Sequence, residues 1–210
     1  MVGKLEDPPQ HTFDVVIVGG AMIGSSVAWF LSQNEDFDGS ILVVERDPSY
    51  EQSSTARTNS CMRQQFSGEL NIRISQFAAE FVRDFRDHMD SDPAVPNLQV
   101  HHFGYMYLAD SERFESRLRD SYVVQAACGV GTRLMSPDEI ATAYPFYKLD
   151  DIVLGSHNTV DEGYFDGATM FDWWRRKARQ RGVCYIANEV VALGSDASRV
   201  ISVTLASGTI

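Results

Sequence analysis

The chain has 210 residues, 44% of them hydrophobic and 11% aromatic, which is enough for one large or two small globular domains with a sizeable core. A formal net charge of −11 repels phosphate backbones, so nucleic acid is not an expected partner. Cys61, Cys128 and Cys184 stand apart without a CxxC pair, which argues against a zinc site and a disulfide framework, and no metal is expected.

Met1 to Pro9 carry two acids and no apolar h-region, so neither a secretory nor a transit peptide fits and a cytoplasmic location is expected. No apolar run is long enough to span a bilayer. Residues 1–12 read as a polar arm. The β-branched run Phe13-Asp14-Val15-Val16-Ile17-Val18 predicts a buried parallel strand, and Met22 to Ser32 follow a helical pattern. Ile41-Leu42-Val43-Val44-Glu45 predicts a second buried strand, completing a βαβ unit. Residues 46–67 read as a long polar loop. A single helix is expected from Glu69 to Met89, with Ile72, Phe77, Phe81 and Phe85 on its core face.

Asp90 to Pro96 break the pattern and suggest a domain boundary. Val100 to Leu108 alternate like a strand, and 111–127 read as a helix. Ser136-Pro137-Asp138-Glu139 is a capping box that starts a short helix. Val153 to Phe165 read as strands around a turn at 160–163. A helix from Gly167 to Arg181 ends at Gly182, and its basic run from Arg175 to Arg181 is read as solvated cations that complement the helix C-terminus. Residues 183–186, 189–193 and 200–205 predict three strands, with a hairpin turn at Ser207-Gly208.

Gly19-Gly20-Ala21-Met22-Ile23-Gly24 occupies the G-x-G-x-x-G slot between the first strand and helix, with alanine at the middle glycine. Such a turn lets the backbone approach a pyrophosphate and aims a helix N-terminus at it. Glu45 stands twenty-one residues beyond Gly24, the spacing of a carboxylate that binds a ribose hydroxyl. A dinucleotide site follows. The segment Ser53 to Ser67 then places hydroxyls and the cations Arg57 and Arg63 directly after the ribose-binding strand, which favours FAD over NAD.

The runs at 16–26, 43–47 and 53–67, with Gly163-Tyr164-Phe165-Asp166, Gly182-Val183 and Asn188-Glu189-Val190 in the same order, resemble the superfamily of FAD enzymes that includes D-amino-acid oxidase, sarcosine oxidase and glycine oxidase. The resemblance implies that Gly19, Gly20, Ala21, Met22, Ile23 and Gly24 line the pyrophosphate and that Glu45 and Arg46 hold the adenosine ribose. It also implies that Ser54, Thr55, Asn59 and Ser60 run beside the pyrophosphate toward the flavin, and that Val190 meets adenine through its backbone. Arg63 falls where some members bind the substrate carboxylate. No residue is assigned to catalysis itself. The first loop lacks a histidine, so FAD linked through that residue is not expected. Family members are roughly twice this length, which implies that the chain is a fragment, inactive alone.

The expected fold is α/β. A Rossmann-type FAD-binding domain is built from residues 1–95 and 165–210, and a partly present α+β substrate domain is inserted at 96–164. The expected activity is oxidation of the C–N bond of an amino acid or secondary amine by hydride transfer to the flavin, with oxygen or another redox protein as electron acceptor. An NAD-dependent dehydrogenase and a non-catalytic flavin-binding assembly protein are the alternatives.

Overall fold

A computed structural model describes residues 5–209. The chain divides into two compact units, one running up to Thr58 and resuming at Gly167, the other spanning Asn59–Asp166. The first strand of the first unit, β1 (Val15–Val18), leads through the glycine turn into α1 (Met22–Gln33), and β2 (Ile41–Glu45) follows, then the single-turn helix α2 (Ser54–Arg57).

The second unit holds β3 (Cys61–Met62), α3 (Glu69–Arg83), α4 (Phe85–His88), β4 (Tyr105–Ala109), α5 (Glu112–Ala127), β5 (Arg133–Met135), α6 (Pro137–Ala143), β6 (Leu154–Asn158) and β7 (Gly163–Tyr164). The chain then returns to the first unit with α7 (Gly167–Gln180), β8 (Cys184–Ala187), β9 (Val190–Ser195), β10 (Val200–Leu205) and β11 (Gly208–Thr209).

In the first unit β2 lies between β1 and β8, parallel to both, with Val15 opposite Ile41 and Leu42 opposite Cys184. This explains its composition: Ile41 to Val44 are each at most 4% exposed, as a strand covered on both faces requires. Leu42, Val44, Ile186 and Leu205 form one core cluster. The helices α1 and α7 meet through Trp29 and Trp174, whose ring centroids lie 6.4 Å apart. Two turn glycines set the approach of α1. Gly19 has φ +92°, open to glycine at little cost. A Cβ on Gly24 would sit 1.9 Å from the Gly19 carbonyl oxygen, so only a hydrogen lets the helix pack against the turn. The polar arm is docked: Glu6 N–H donates to Ala187 O at 2.9 Å, and Ala187 N–H to the Glu6 carboxylate at 2.8 Å. The signal-peptide expectation rests in part on Met1 to Lys4, which lie outside the described residues.

In the second unit β4, β6 and β5 form an antiparallel sheet, and β3 pairs antiparallel with β7. Ile72 on α3 packs with Cys128 and Val130 after α5, and Phe66 joins them. This packing ties α3 to the second unit, so the chain crosses between units at 58/59. The units part at 58/59 and at 166/167, and the first of these is not the crossing expected near residue 95.

The predicted helix 69–89 is two helices. Asp84 leaves helical geometry (φ −100°, ψ 21°), and the new turn carries Phe85 and Met89 wholly into the core. The strand predicted from Val100 begins only at Tyr105; before it, His101 makes an isolated bridge to Tyr164. The strands β6 and β7 do not pair with each other, because Asp161 takes a left-handed φ of +52° and turns the chain away toward β3. The capping box at Ser136 and Glu139 forms with both of its hydrogen bonds. Among the described residues, no helix is long and apolar enough to cross a membrane.

Gly24→Ala forces a methyl against the Gly19 carbonyl and should destabilise the protein by about 1–3 kcal/mol, the usual cost of overpacking. A denaturant titration measures it, and a wild-type midpoint would contradict the packing described.

Candidate nucleotide and anion sites

In the first unit the glycine turn is held from beneath. Gly19 N–H donates to Val44 O at 2.9 Å, and Gly20 N–H donates to the Glu45 carboxylate at 2.8 Å. The second oxygen of Glu45 accepts Asp47 N–H at 2.8 Å. Glu45 therefore ties the end of β2 to the glycine turn before any ligand is considered, a role its spacing from Gly24 did not reveal. Each carboxylate oxygen keeps a lone pair for a further donor. Ala21 is the N-cap of α1, with no side-chain cap and no acidic residue in the first turn. Met22 N–H donates to the Thr55 hydroxyl at 3.1 Å, which draws α2 to the helix N-terminus.

Beside this turn lies a cleft of about 320 Å³. Gly19, Glu45, Arg46 and Val190 line it together, with Tyr50 and Asn188. Asn188 is 1% exposed and is a hub: its side chain donates to Glu6 O at 2.9 Å and to the Ser207 hydroxyl at 2.6 Å, and its backbone N–H donates to Glu45 O at 3.0 Å. Arg46 is exposed and 4.0 Å from Glu189, a weak surface pair. Tyr50 has φ +59° and is 8% exposed; its ring meets Phe171 edge-on at 4.9 Å. Burial pushes the Tyr50 phenol above its ordinary pKa, and the hydrogen bond and charge of Arg175 partly offset the rise.

Arg175 corrects the reading of the basic run as solvated. Its guanidinium lies 5.2 Å from the Tyr50 ring centroid and 3.0 Å from Asp172, and Lys177 is 5% exposed. The amphipathic turn of α7 carries these two cations inward, while Arg176 faces outward.

Ile23 is 78% exposed, Gly24 is buried, and Ser54 is exposed at the start of α2. Asn59, Ser60 and Arg63 belong to the second unit. There Ser60 takes a φ of +50°, and its carbonyl accepts Phe165 N–H at 3.2 Å. Arg63 follows β3. Its guanidinium lies 4.8 Å from the Phe66 ring centroid and 5.8 Å from that of Tyr105, and it acts on the Tyr107 phenol by charge and hydrogen bonding. Its Nε is buried with no hydrogen-bond partner among the described residues. Tyr105 and Tyr107 project from the same face of β4, as residues two apart on a strand must. Burial, with the neighbouring Cys61 thiol, pushes the Tyr105 phenol up to about 12, so both tyrosines face Arg63 as neutral hydroxyls near neutral pH.

Sequence reasoning missed Tyr50 and Asn188 in the cleft, and Tyr105 and Tyr107 around the arginine. Only the alternation of β4 could have signalled the tyrosine pair. The three cysteines are free thiols, and no group of three or more potential metal ligands occurs among the described residues.

Glu45→Gln leaves one amide N–H₂ facing a backbone N–H and should lower stability by about 1 kcal/mol, the low end of the cost of an unsatisfied donor, because the carboxylate is only partly buried. Thermal melting in the absence of added nucleotide measures this structural part alone.

Residues 14–210 match the family described as FAD dependent oxidoreductase. The chain is 37% identical over 188 residues to FAD-dependent oxidoreductase domain-containing protein 1 of Xenopus laevis, covering 88% of this chain and 37% of that protein. It is 36% identical over 197 residues to the Bos taurus protein of the same name, covering 92% and 40%. The chain thus spans about two fifths of the length of these relatives. Among solved structures, L-proline dehydrogenase from P. horikoshii superposes with a TM-score of 0.75 at 21% identity, covering 93% of this chain and 50% of that one. Glycine oxidase from Bacillus cereus ATCC 14579 gives 0.69 at 17% identity, covering 95% and 53%. The fold is similar to that of about half of each of these two proteins, the NAD alternative falls away, and the chain belongs to the FAD-dependent oxidoreductase family, with FAD as its cofactor.

Proposed function

We propose that the protein carrying this chain oxidises the C–N bond of an amino acid or secondary amine that bears a carboxylate. The observation that carries the reading is Arg63, a partly buried guanidinium ringed by Phe66, Tyr105 and Tyr107, with an Nε that no described residue satisfies. A cation of this kind suits a planar, two-oxygen anion. The names of the similar structures, L-proline dehydrogenase and glycine oxidase, point to substrates of the same class.

The first unit fits FAD. The N-terminus of α1, free of acidic residues and with an N-cap alanine that supplies no side-chain acceptor, favours a pyrophosphate over the glycine turn. In this reading Gly19, Gly20, Ala21, Met22, Ile23 and Gly24 hold the pyrophosphate, Glu45 and Arg46 the ribose, and Val190 the adenine. Thr55 and Ser54 continue the polar wall within the first unit. When bound, FAD supplies the acceptor for the hydride that leaves the substrate carbon. The protein's own work is to orient the substrate: Arg63 binds its carboxylate, and Tyr105 and Tyr107 offer neutral hydroxyls and aromatic walls beside it. The domain inserted as Asn59–Asp166 is then the substrate-binding part of the protein.

Anaerobic mixing of the full-length, FAD-loaded protein with N-methylated and unsubstituted amino acids should bleach the oxidised flavin, while matching amines without a carboxylate should not. Retention of FAD with no reduction by any amine would favour a non-catalytic flavin-binding protein instead. Arg63→Lys should raise KM, because lysine lacks the planar fork. Arg63→Ala should cost on the order of 2–5 kcal/mol in kcat/KM, as for a broken buried charge pair. A melting temperature that falls while substrate-dependent reduction stays normal would make Arg63 structural and remove it from the site. Glu45→Ala should reduce FAD retention on gel filtration more than Glu45→Gln does, since glutamine still offers the ribose an acceptor.

A further inference from the structure

We propose that Glu162 is a positioning residue for Arg63, its buried carboxylate fixing the backbone from which the guanidinium meets an anionic substrate group. The inference rests on the reading of Arg63 given above. Glu162 is 0% exposed. One carboxylate oxygen accepts Gln64 N–H at 2.7 Å and Gln65 N–H at 3.1 Å, and the other accepts Gln65 Nε2–H at 2.9 Å. Residues 64 and 65 directly follow Arg63, so the charge is spent on the segment that presents the arginine.

The Gln65 side chain completes the network. Its Nε2 also donates to Tyr105 O at 3.0 Å, and its Oε1 accepts the Ser156 hydroxyl at 2.8 Å. Both amide hydrogens and the amide oxygen are thereby engaged. The polarity runs one way: Ser156 donates to Gln65, and Gln65 donates to Glu162 and to the backbone of β4. That strand also carries the Tyr105 and Tyr107 rings that flank Arg63. A single buried acid thus locks the turn after β3 to the strand opposite it. Burying a carboxylate is costly unless its oxygens are fully used, and here three N–H donors use them.

A competing explanation treats Glu162 as a charge that merely offsets Arg63. The two ideas differ in sign. Glu162→Gln removes the negative charge at nearly constant volume. If Glu162 only offsets Arg63, anion binding tightens. If Glu162 positions the segment, the new amide N–H₂ meets the Gln65 donor, the network breaks and anion binding weakens.

The test uses the full-length, FAD-loaded protein, with acetate as the anion and acetamide as its neutral match, titrated by calorimetry. Hydrogen exchange of the peptide covering residues 60–67 and the melting temperature are measured beside it. Glu162→Gln is expected to weaken acetate binding by about tenfold or more, the range that corresponds to one lost hydrogen bond to a charged group. Acetamide binding should be unchanged, and exchange in the peptide should be faster. Arg63→Met should abolish the preference for acetate over acetamide.

Tighter or unchanged acetate binding in Glu162→Gln overturns the proposal, as does unchanged exchange in the peptide. Persistence of the acetate preference in Arg63→Met overturns the reading of Arg63 and this inference with it. The exchange data then still report separately whether Glu162 holds the segment. Should Glu162→Gln not fold, Glu162→Asp keeps the charge and draws it back by one methylene. Weakened acetate binding in that variant supports the positioning role, and wild-type affinity overturns it.

Discussion

The carboxylate of Glu45 reaches back from the end of β2 to the amide of Gly20 and sideways to that of Asp47, and those two bonds hold the glycine turn against the end of the strand. The register of β1 on β2 brings Val18 opposite Val44, so the glycine turn emerges beside the end of β2, within reach of the acid. The amide of Gly19 closes on Val44 O, and α1 then leaves the turn with its first amide on the Thr55 hydroxyl. Moving any one of these parts would displace the others, because the close approach of Gly24 to Gly19 allows no slack. The acid that a dinucleotide fingerprint would assign to a ligand is thus also part of the turn itself.

The second unit repeats the device with a different acid. Glu162 gathers backbone amides as Glu45 does, but it is wholly buried and serves the segment behind Arg63. In both places a carboxylate bonded to main-chain N–H groups orders irregular chain that helix or strand ladders do not reach. Irregular chain is where a binding site needs its backbone and cations, and a fixed anion is one way to hold such chain without covering it.

Charge explains why the cations matter. With a net charge of −11, the protein gives an anion little general attraction, and local groups must supply it. In the reading proposed above, the N-terminus of α1 does so in the first unit and Arg63 in the second. Arg175 shows that a cation in a basic run can serve packing instead: it sits over Tyr50 and Phe171, and Tyr50 lines the cleft beside the glycine turn.

The βαβ order, the buried character of β2, the capping box at Ser136, the stop at Gly182 and the glycine turn with its acid were all legible in the sequence. Each depends on neighbours within a few residues or on a fixed strand–helix–strand spacing, and local chemistry dictates them. Long-range packing decided the rest. The break of the helix at Asp84 follows from where Phe85 and Met89 find a core, and the crossing at Thr58 from Ile72 meeting Cys128 and Val130 more than fifty residues away. The pairing of β7 with β3 instead of β6 depends on a left-handed Asp161 that composition does not announce. Glu162 read as part of a turn, because nothing in a single sequence shows that residues 64 and 65 lie against it. Hydrogen bonds between segments nearly a hundred residues apart leave no periodicity, so only the tertiary structure could assign them.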